Sequence, residues 1–124
     1  MSEYLEIAHA SVIVADTERA LRFYRDVLGL RLMPERPDPG YPGAWLAVGA
    51  QQIHLLELPN PDATTGRPAH GGRDRHTAIH VKKLAPVREA LHRAGIAYTS
   101  SRSGRDALFC RDPDGNALEF IASS

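Results

Sequence analysis

Three histidines and one glutamate carry the chemistry that this sequence offers most plainly: His9, His54, His76 and Glu119. Three imidazole nitrogens with one carboxylate oxygen form a donor set suited to a divalent first-row ion, with Zn, Ni, Co and Fe all compatible. Each of the four lies in a short apolar run, and strand geometry sends successive side chains to opposite faces. In the first run Ala10, Val12 and Val14 take the side that packs under a helix, which leaves His9, Ser11 and Ile13 on the other face. Ile53 and Leu55 pack while His54 and Leu56 face away; Ile79 and Val81 pack while His76, Ala78 and His80 face away; Leu118 and Phe120 pack while Glu119 and Ile121 face away. A single strand histidine is ordinarily a hydrogen-bonded structural residue, and Glu119 alone would suit a solvated sheet face. It is the four at equivalent places that point to a metal, because an unpaired buried carboxylate is costly and a cation offsets that cost.

The elements that must hold them repeat. Asp16 or Thr17 caps a helix whose apolar residues Ala20, Phe23, Tyr24, Val27 and Leu28 keep helical spacing, and Gly29 closes it. Strands are expected over residues 5–15, 30–33, 44–48 and 51–58, the last two joined through Gly49-Ala50. The same order returns as a strand over 76–81, a helix marked by Pro86, Val87, Ala90, Leu91 and Ala94 and ended by Gly95, then strands over 97–100, 107–111 and 117–122. The last two are linked by Asp112-Pro113-Asp114-Gly115-Asn116, which has strong turn chemistry. Proline and glycine concentrate in two loops, 34–43 and 59–75, the second long enough to be a functional flap or a linker. The chain thus reads as an α+β domain of two tandem βαβββ modules, one over 4–58 and one over 76–122, joined by the linker 59–75. A lone module leaves one sheet face bare, so two must face each other, within the chain or across a dimer.

Composition bounds the function. The 124 residues, 43% hydrophobic and 24% charged, suit one domain. Fifteen Lys+Arg balance fifteen Asp+Glu, which argues against nucleic acid and anionic membranes as partners. The absence of a secretory start and the lone Cys110 lead to the expectation of a cytoplasmic protein. One cysteine also excludes thiolate zinc sites, leaving imidazole and carboxylate ligation.

The run Phe23-Tyr24-Arg25-Asp26-Val27-Leu28-Gly29-Leu30 and the closing Arg111-Asp112-Pro113-Asp114-Gly115-Asn116-Ala117-Leu118-Glu119-Phe120, with His9, His76 and the segment 52–57, resemble the vicinal-oxygen-chelate superfamily. That group contains glyoxalase I, extradiol dioxygenases, and fosfomycin- and bleomycin-resistance proteins. The resemblance implies a cup-shaped, partly open β-barrel and places His9, His76 and Glu119 on the usual metal-ligand positions. His54 falls on a fourth position that is glutamate or glutamine in the glyoxalase branch and in that of methylmalonyl-CoA epimerase, a further member, and a non-ligand in the dioxygenase and fosfomycin branches; an imidazole in place of a carboxylate raises the charge of the site by one. The leading expectation is a divalent-metal-dependent, glyoxalase-like lyase or isomerase acting on a small substrate with vicinal oxygens, Glu119 moving the proton. The alternatives are an Fe(II) extradiol-type dioxygenase and a non-enzymatic drug- or metabolite-binding protein. Resemblance also implies a homodimer, places Ser11 where the fosfomycin branch has a substrate-facing hydroxyl or thiol, and offers His80 as the substrate-side acid or base of the dioxygenase reading, its simpler role being a strand-end hydrogen bond. Arg102 and Arg105, before the seventh strand at the expected cup mouth, suit bidentate recognition of a carboxylate. Trp45 and Tyr98 are expected to pack, His70 and His92 to lie on a loop and a helix surface, and Cys110 to be a small buried hydrophobe.

Overall fold

In a computed structural model that describes residues 3–123, the chain forms two four-stranded sheets. The N-terminal sheet contains β1 (His9–Val14), β2 (Arg31–Met33), β3 (Gly43–Val48) and β4 (Gln51–Glu57), in the order β1-β4-β3-β2. The C-terminal sheet contains β5 (His76–Val81), β6 (Thr99–Ser100), β7 (Ala107–Arg111) and β8 (Ala117–Ala122), in the order β5-β8-β7-β6. In each sheet the first strand pairs in parallel with the last, and the rest pair antiparallel. Helix α1 (Thr17–Leu21) follows β1 and α2 (Ala85–Arg93) follows β5. The two sheets do not close into a barrel, so the cup is open.

Alternation along the strands decides what is buried. Val14, Leu46, Leu55, Leu108 and Leu118 are each at most 1% exposed and share one apolar core with Tyr24 of the first helical segment and Leu91 of α2. On the opposite face His9, Ser11, His76, Ala78 and His80 are exposed. The inner surface of β1 and β5 is therefore bare, and these two strands are also free edges of their sheets.

Asp16 caps α1, its carboxylate accepting from the Glu18 and Arg19 amides. The helix then widens into a π-helical turn, Arg22–Val27, with Leu28 N–H donating to Phe23 C=O at 2.9 Å and Leu30 N–H to Tyr24 C=O at 3.1 Å. The continuous α-helix expected from the apolar spacing is thus only partly formed. Widening brings two consecutive aromatics inward, Phe23 and Tyr24 meeting edge to face at 5.0 Å. The first strand is also shorter than expected, starting at His9: its partner β4 begins at Gln51, and the Ala8 carbonyl, accepting from Gln52 N–H at 3.2 Å, marks the start of the pairing. Likewise β6 is confined to Thr99–Ser100. Loop 59–75 contains one 3-10 turn, Gly71–Arg73.

The turn at 112–116 pins the sheets together. Tyr24 donates its hydroxyl to Asp112 Oδ2 at 2.6 Å, Ala15 N–H donates to Asp114 Oδ1 at 3.0 Å, and Asn116 Nδ2 donates to Ile13 C=O at 3.1 Å. Arg19 adds a bond to the Pro113 carbonyl. Gly115 has φ +85° with its Cβ position 2.7 Å from the Thr64 carbonyl oxygen, so only glycine fits. The two most specific sequence motifs are therefore one tertiary contact, and β8, which carries Glu119, leaves directly from it.

Candidate functional site

The four expected ligands are brought together as two pairs, one on each sheet. Register opposes Trp45 of β3 to His54 of β4, and β1 lies on the other side of His54 through Ser11. The result is a three-ring stack, with His54 between His9 (centroids 3.9 Å, 12° between planes) and Trp45 (4.3 Å, 6°). Trp45 is half-buried as a wall of this stack, and His54 is 8% exposed. Gln52, two residues along and on the same face, is hydrogen-bonded to His54 Nε2 at 2.7 Å. Burial first, then the neighbouring His9 and Arg36 charges, hold His54 below the ordinary imidazole range, in the neutral form that ligates.

The second pair lies on β5 and β8. Glu119 is 1% exposed and its Oε1 is 3.2 Å from His76 Nε2. Two donors each about 2.1 Å from one first-row ion stand about this far apart. His76 Nδ1 is 2.8 Å from the Asp74 carbonyl oxygen, which can only accept, so this contact fixes the hydrogen on Nδ1 and aims Nε2 at Glu119. Asp74 is itself fixed by Arg67 at 2.9 and 3.0 Å and by Arg111 at 2.9 Å, and these guanidiniums hold its carboxyl far below the usual carboxylate range. Arg105 Nη2 lies 3.3 Å from Glu119 Oε2, close enough to balance its charge but off line for a hydrogen bond, so that oxygen is buried with no hydrogen-bond donor. A buried carboxylate oxygen without a donor, beside an oriented imidazole, fits a cation.

Among the described residues no three His, Cys, Asp or Glu side chains converge on one point. The pairs nevertheless border common space. A cavity of about 760 Å³ along the facing β1 and β5 edges is lined by His9, Gln52, His76 and His80. A second, about 350 Å³, joins Ser11 to His76. A third, about 280 Å³, joins Arg102 and Arg105 to His76. His76 is thus the shared wall of all three, and each expected substrate contact adjoins it.

Two residues escaped the sequence reading. His70, expected on a loop surface, is 7% exposed, hydrogen-bonded through Nδ1 to Thr99 Oγ1 at 2.7 Å and edge-on to Phe109 at 4.9 Å. It is buried because Gly71 and Gly72 let the loop lie against β7: a Cβ on Gly72 would meet His70 Nε2 at 2.8 Å and Phe109 Cζ at 3.2 Å. Gln52 is the other, and its signal was available, since i and i+2 share a strand face. Tyr98 is 38% exposed instead of packed. Cys110 is buried as expected, its thiol pushed up to about 12 by burial and then by Asp112.

The family model for the Glyoxalase/Bleomycin resistance protein/Dioxygenase superfamily matches residues 6–120. A lactoylglutathione lyase of Haemophilus influenzae is 32% identical, the match covering 94% of this chain and 92% of that protein. Glyoxylase I 4 of Arabidopsis thaliana is 29% identical over 90% of this chain and 67% of that one. A crystal structure of a protein assigned to the glyoxalase family, from Bacillus anthracis, superposes over the whole of both chains with a TM-score of 0.80 at 26% identity. With paired βαβββ topology, a buried Glu119 beside His76 and a family match over nearly its whole length, this chain belongs to the glyoxalase/bleomycin resistance protein/dioxygenase superfamily.

Proposed function

We propose that the chain is a divalent-metal-dependent enzyme of the glyoxalase-like kind, moving a proton between neighbouring carbons of a small substrate with vicinal oxygens. The observation that carries this reading is the His76–Glu119 pair, in which a carboxylate 1% exposed keeps one oxygen free of hydrogen bonds. His9 and His54 supply imidazole donors to the ion, and His76 and Glu119 supply the remainder. When bound, the ion polarises a substrate carbonyl and makes the adjacent C–H more acidic.

Glu119 takes that C–H proton on a carboxylate oxygen and returns it to the neighbouring carbon while the hydroxyl proton passes from one vicinal oxygen to the other, so the substrate is isomerised with no net gain or loss of atoms or electrons. Asp74 keeps His76 in one tautomer through the transfer. Phe109, edge-on to His76 at 5.1 Å, shields the imidazole from water on that side. Arg105 balances the Glu119 charge before the ion arrives, and Ser11, His80 and Arg102 border the cavities through which substrate reaches His76.

Each pair supplies two donors, whereas a catalytic metal site holds three or more protein ligands. A homodimer that sets His9 and His54 of one copy against His76 and Glu119 of the other completes the set and covers the bare inner faces of β1 and β5. Glu119→Gln, which preserves shape, is expected to lower kcat on a thiol adduct of a 2-oxoaldehyde by about 100-fold or more. A variant within threefold of wild type removes Glu119 from the chemistry.

A further inference from the structure

The cavity of about 280 Å³ beside His76 is lined by three guanidiniums, Arg73, Arg102 and Arg105, with His70, His76 and Ser103, and no carboxylate belongs to its wall. Most arginines of this protein are matched: Arg67 and Arg111 to Asp74, Arg75 to Asp62, Arg88 to Asp106, Arg93 to Glu89. Arg73 and Arg102 are not, and among the described residues neither side chain has an ion pair or a hydrogen bond. Arg105 is the one member with an acidic partner, Glu119, and its Nε also reaches Ser103 Oγ at 3.3 Å. Glu119 therefore offsets one positive charge of the three.

The pocket is built, not a chance meeting of surface side chains. Gly71 and Gly72 press the loop onto Phe109, where an added Cβ would meet side-chain atoms of His70, Phe109 and Ala117 at 2.8–3.4 Å, and this fixes both His70 and the start of Arg73. Phe109 in turn meets His70 and His76 edge-on at 4.9 and 5.1 Å, so the floor of the pocket is an aromatic ring between two imidazoles. The surplus charge is felt locally: after burial, Arg102, Arg73 and His76 are what hold His70 below the ordinary imidazole range. Guanidinium forks with nearby hydroxyl and imidazole donors match the planar or tetrahedral oxygens of an anion.

We infer that this pocket is an anion subsite, in which Arg73, Arg102 and His70, joined by Arg105, hold a carboxylate or phosphate group of the substrate while its other end reaches the His76–Glu119 pair. The inference rests on the proposed site at His76 and narrows its substrates to small acids or phosphorylated compounds. Were Glu119 engaged by a metal, Arg105 would be released from its ion pair and would be available to the anion.

The test uses the full-length protein stripped of metal, so that it does not depend on the metal reading. Inorganic phosphate and succinate are titrated separately at constant ionic strength and followed by calorimetry and by the imidazole NMR signals. Saturable binding of either probe, with a shift of the His70 resonance, is expected, and the tighter of the two identifies the anion type. Arg73→Ala and Arg102→Ala break no ion pair in the fold and are each expected to weaken that binding about 10-fold. Arg31→Ala, on β2 away from the pocket, is expected to leave it unchanged. Absence of saturable binding, or equal loss in the Arg31 variant, overturns the anion subsite. Saturable anion binding in a chain that, reconstituted with metal, shows no proton-transfer activity would instead count against the proton-transfer reading alone.

Discussion

Replacing Tyr24 by Phe removes one oxygen from the contact that ties the two sheets together. In the native chain Asp112 accepts four hydrogen bonds, from the Asp114 and Asn116 amides at 2.8 and 2.9 Å on Oδ1, and from Tyr24 and Asn116 Nδ2 at 2.6 and 2.8 Å on Oδ2. The variant leaves Oδ2 with one donor in a site where Asp112 is 5% exposed. A buried hydrogen bond to a charged group contributes about 1.5–3 kcal/mol, and relief of the hydroxyl's own burial offsets part of that, so a loss of about 2 kcal/mol is expected at neutral pH. For a domain of this size it lowers Tm by about 8 °C. Burial raises the Asp112 carboxyl above its ordinary value, with the Tyr24 bond opposing the shift. A raised folded value means that stability is lost as pH climbs from the unfolded value through the folded one, because the folded chain must then bury the charge. Tyr24 counters that loss only while Asp112 is ionised. The difference between wild type and variant should therefore shrink toward about 1 kcal/mol once the carboxyl is protonated. Urea unfolding at pH 7 and in acid, with Asp112→Asn closing a double-mutant cycle, measures both quantities. A difference below about 0.5 kcal/mol at pH 7, or one that grows on acidification, would refute the clamp.

Two further outcomes follow from the same contacts. If the site is shared between copies, mixing refolded His9→Ala and Glu119→Ala chains restores roughly a quarter of the wild-type sites, since half of the dimers are mixed and each of those has one intact site. Activity that stays at the level of the separate variants places the site within one chain. Cys110, with its thiol pushed up to about 12, should resist alkylation at pH 8 until the domain unfolds, and labelling at the rate of a free thiol would contradict its burial.

Much of the fold is legible because the signals are local. The strands at 76–81, 107–111 and 117–122 match the observed β5, β7 and β8 residue for residue, and Gly29, Gly95 and Gly115 take the positive φ their turns need. The π-turn at Arg22–Val27 is not legible, since Ala20, Phe23, Tyr24, Val27 and Leu28 keep the same spacing on either helix. What favours the wider turn is the burial of Tyr24 against Asp112, a partner 88 positions away. Pleat alternation correctly puts His9, Ser11, His76 and His80 on the inner face, opposite the core set that includes Val14 and Ile79. It says nothing about how far one sheet stands from the other, so the separation of His9–His54 from His76–Glu119 emerges only in three dimensions. His70 shows the same limit in a loop, where burial is set by the packing of Gly71 and Gly72 on Phe109.

Metal content bears on the central claim most directly. Protein purified without chelator, or stripped and reconstituted with Zn, Ni, Co or Fe(II), is expected to hold one divalent ion per chain by elemental analysis. His76→Ala and Glu119→Ala should each weaken that binding at least 10-fold. A chain that takes up no stoichiometric ion under either treatment, or whose uptake is indifferent to His76 and Glu119, would contradict the account.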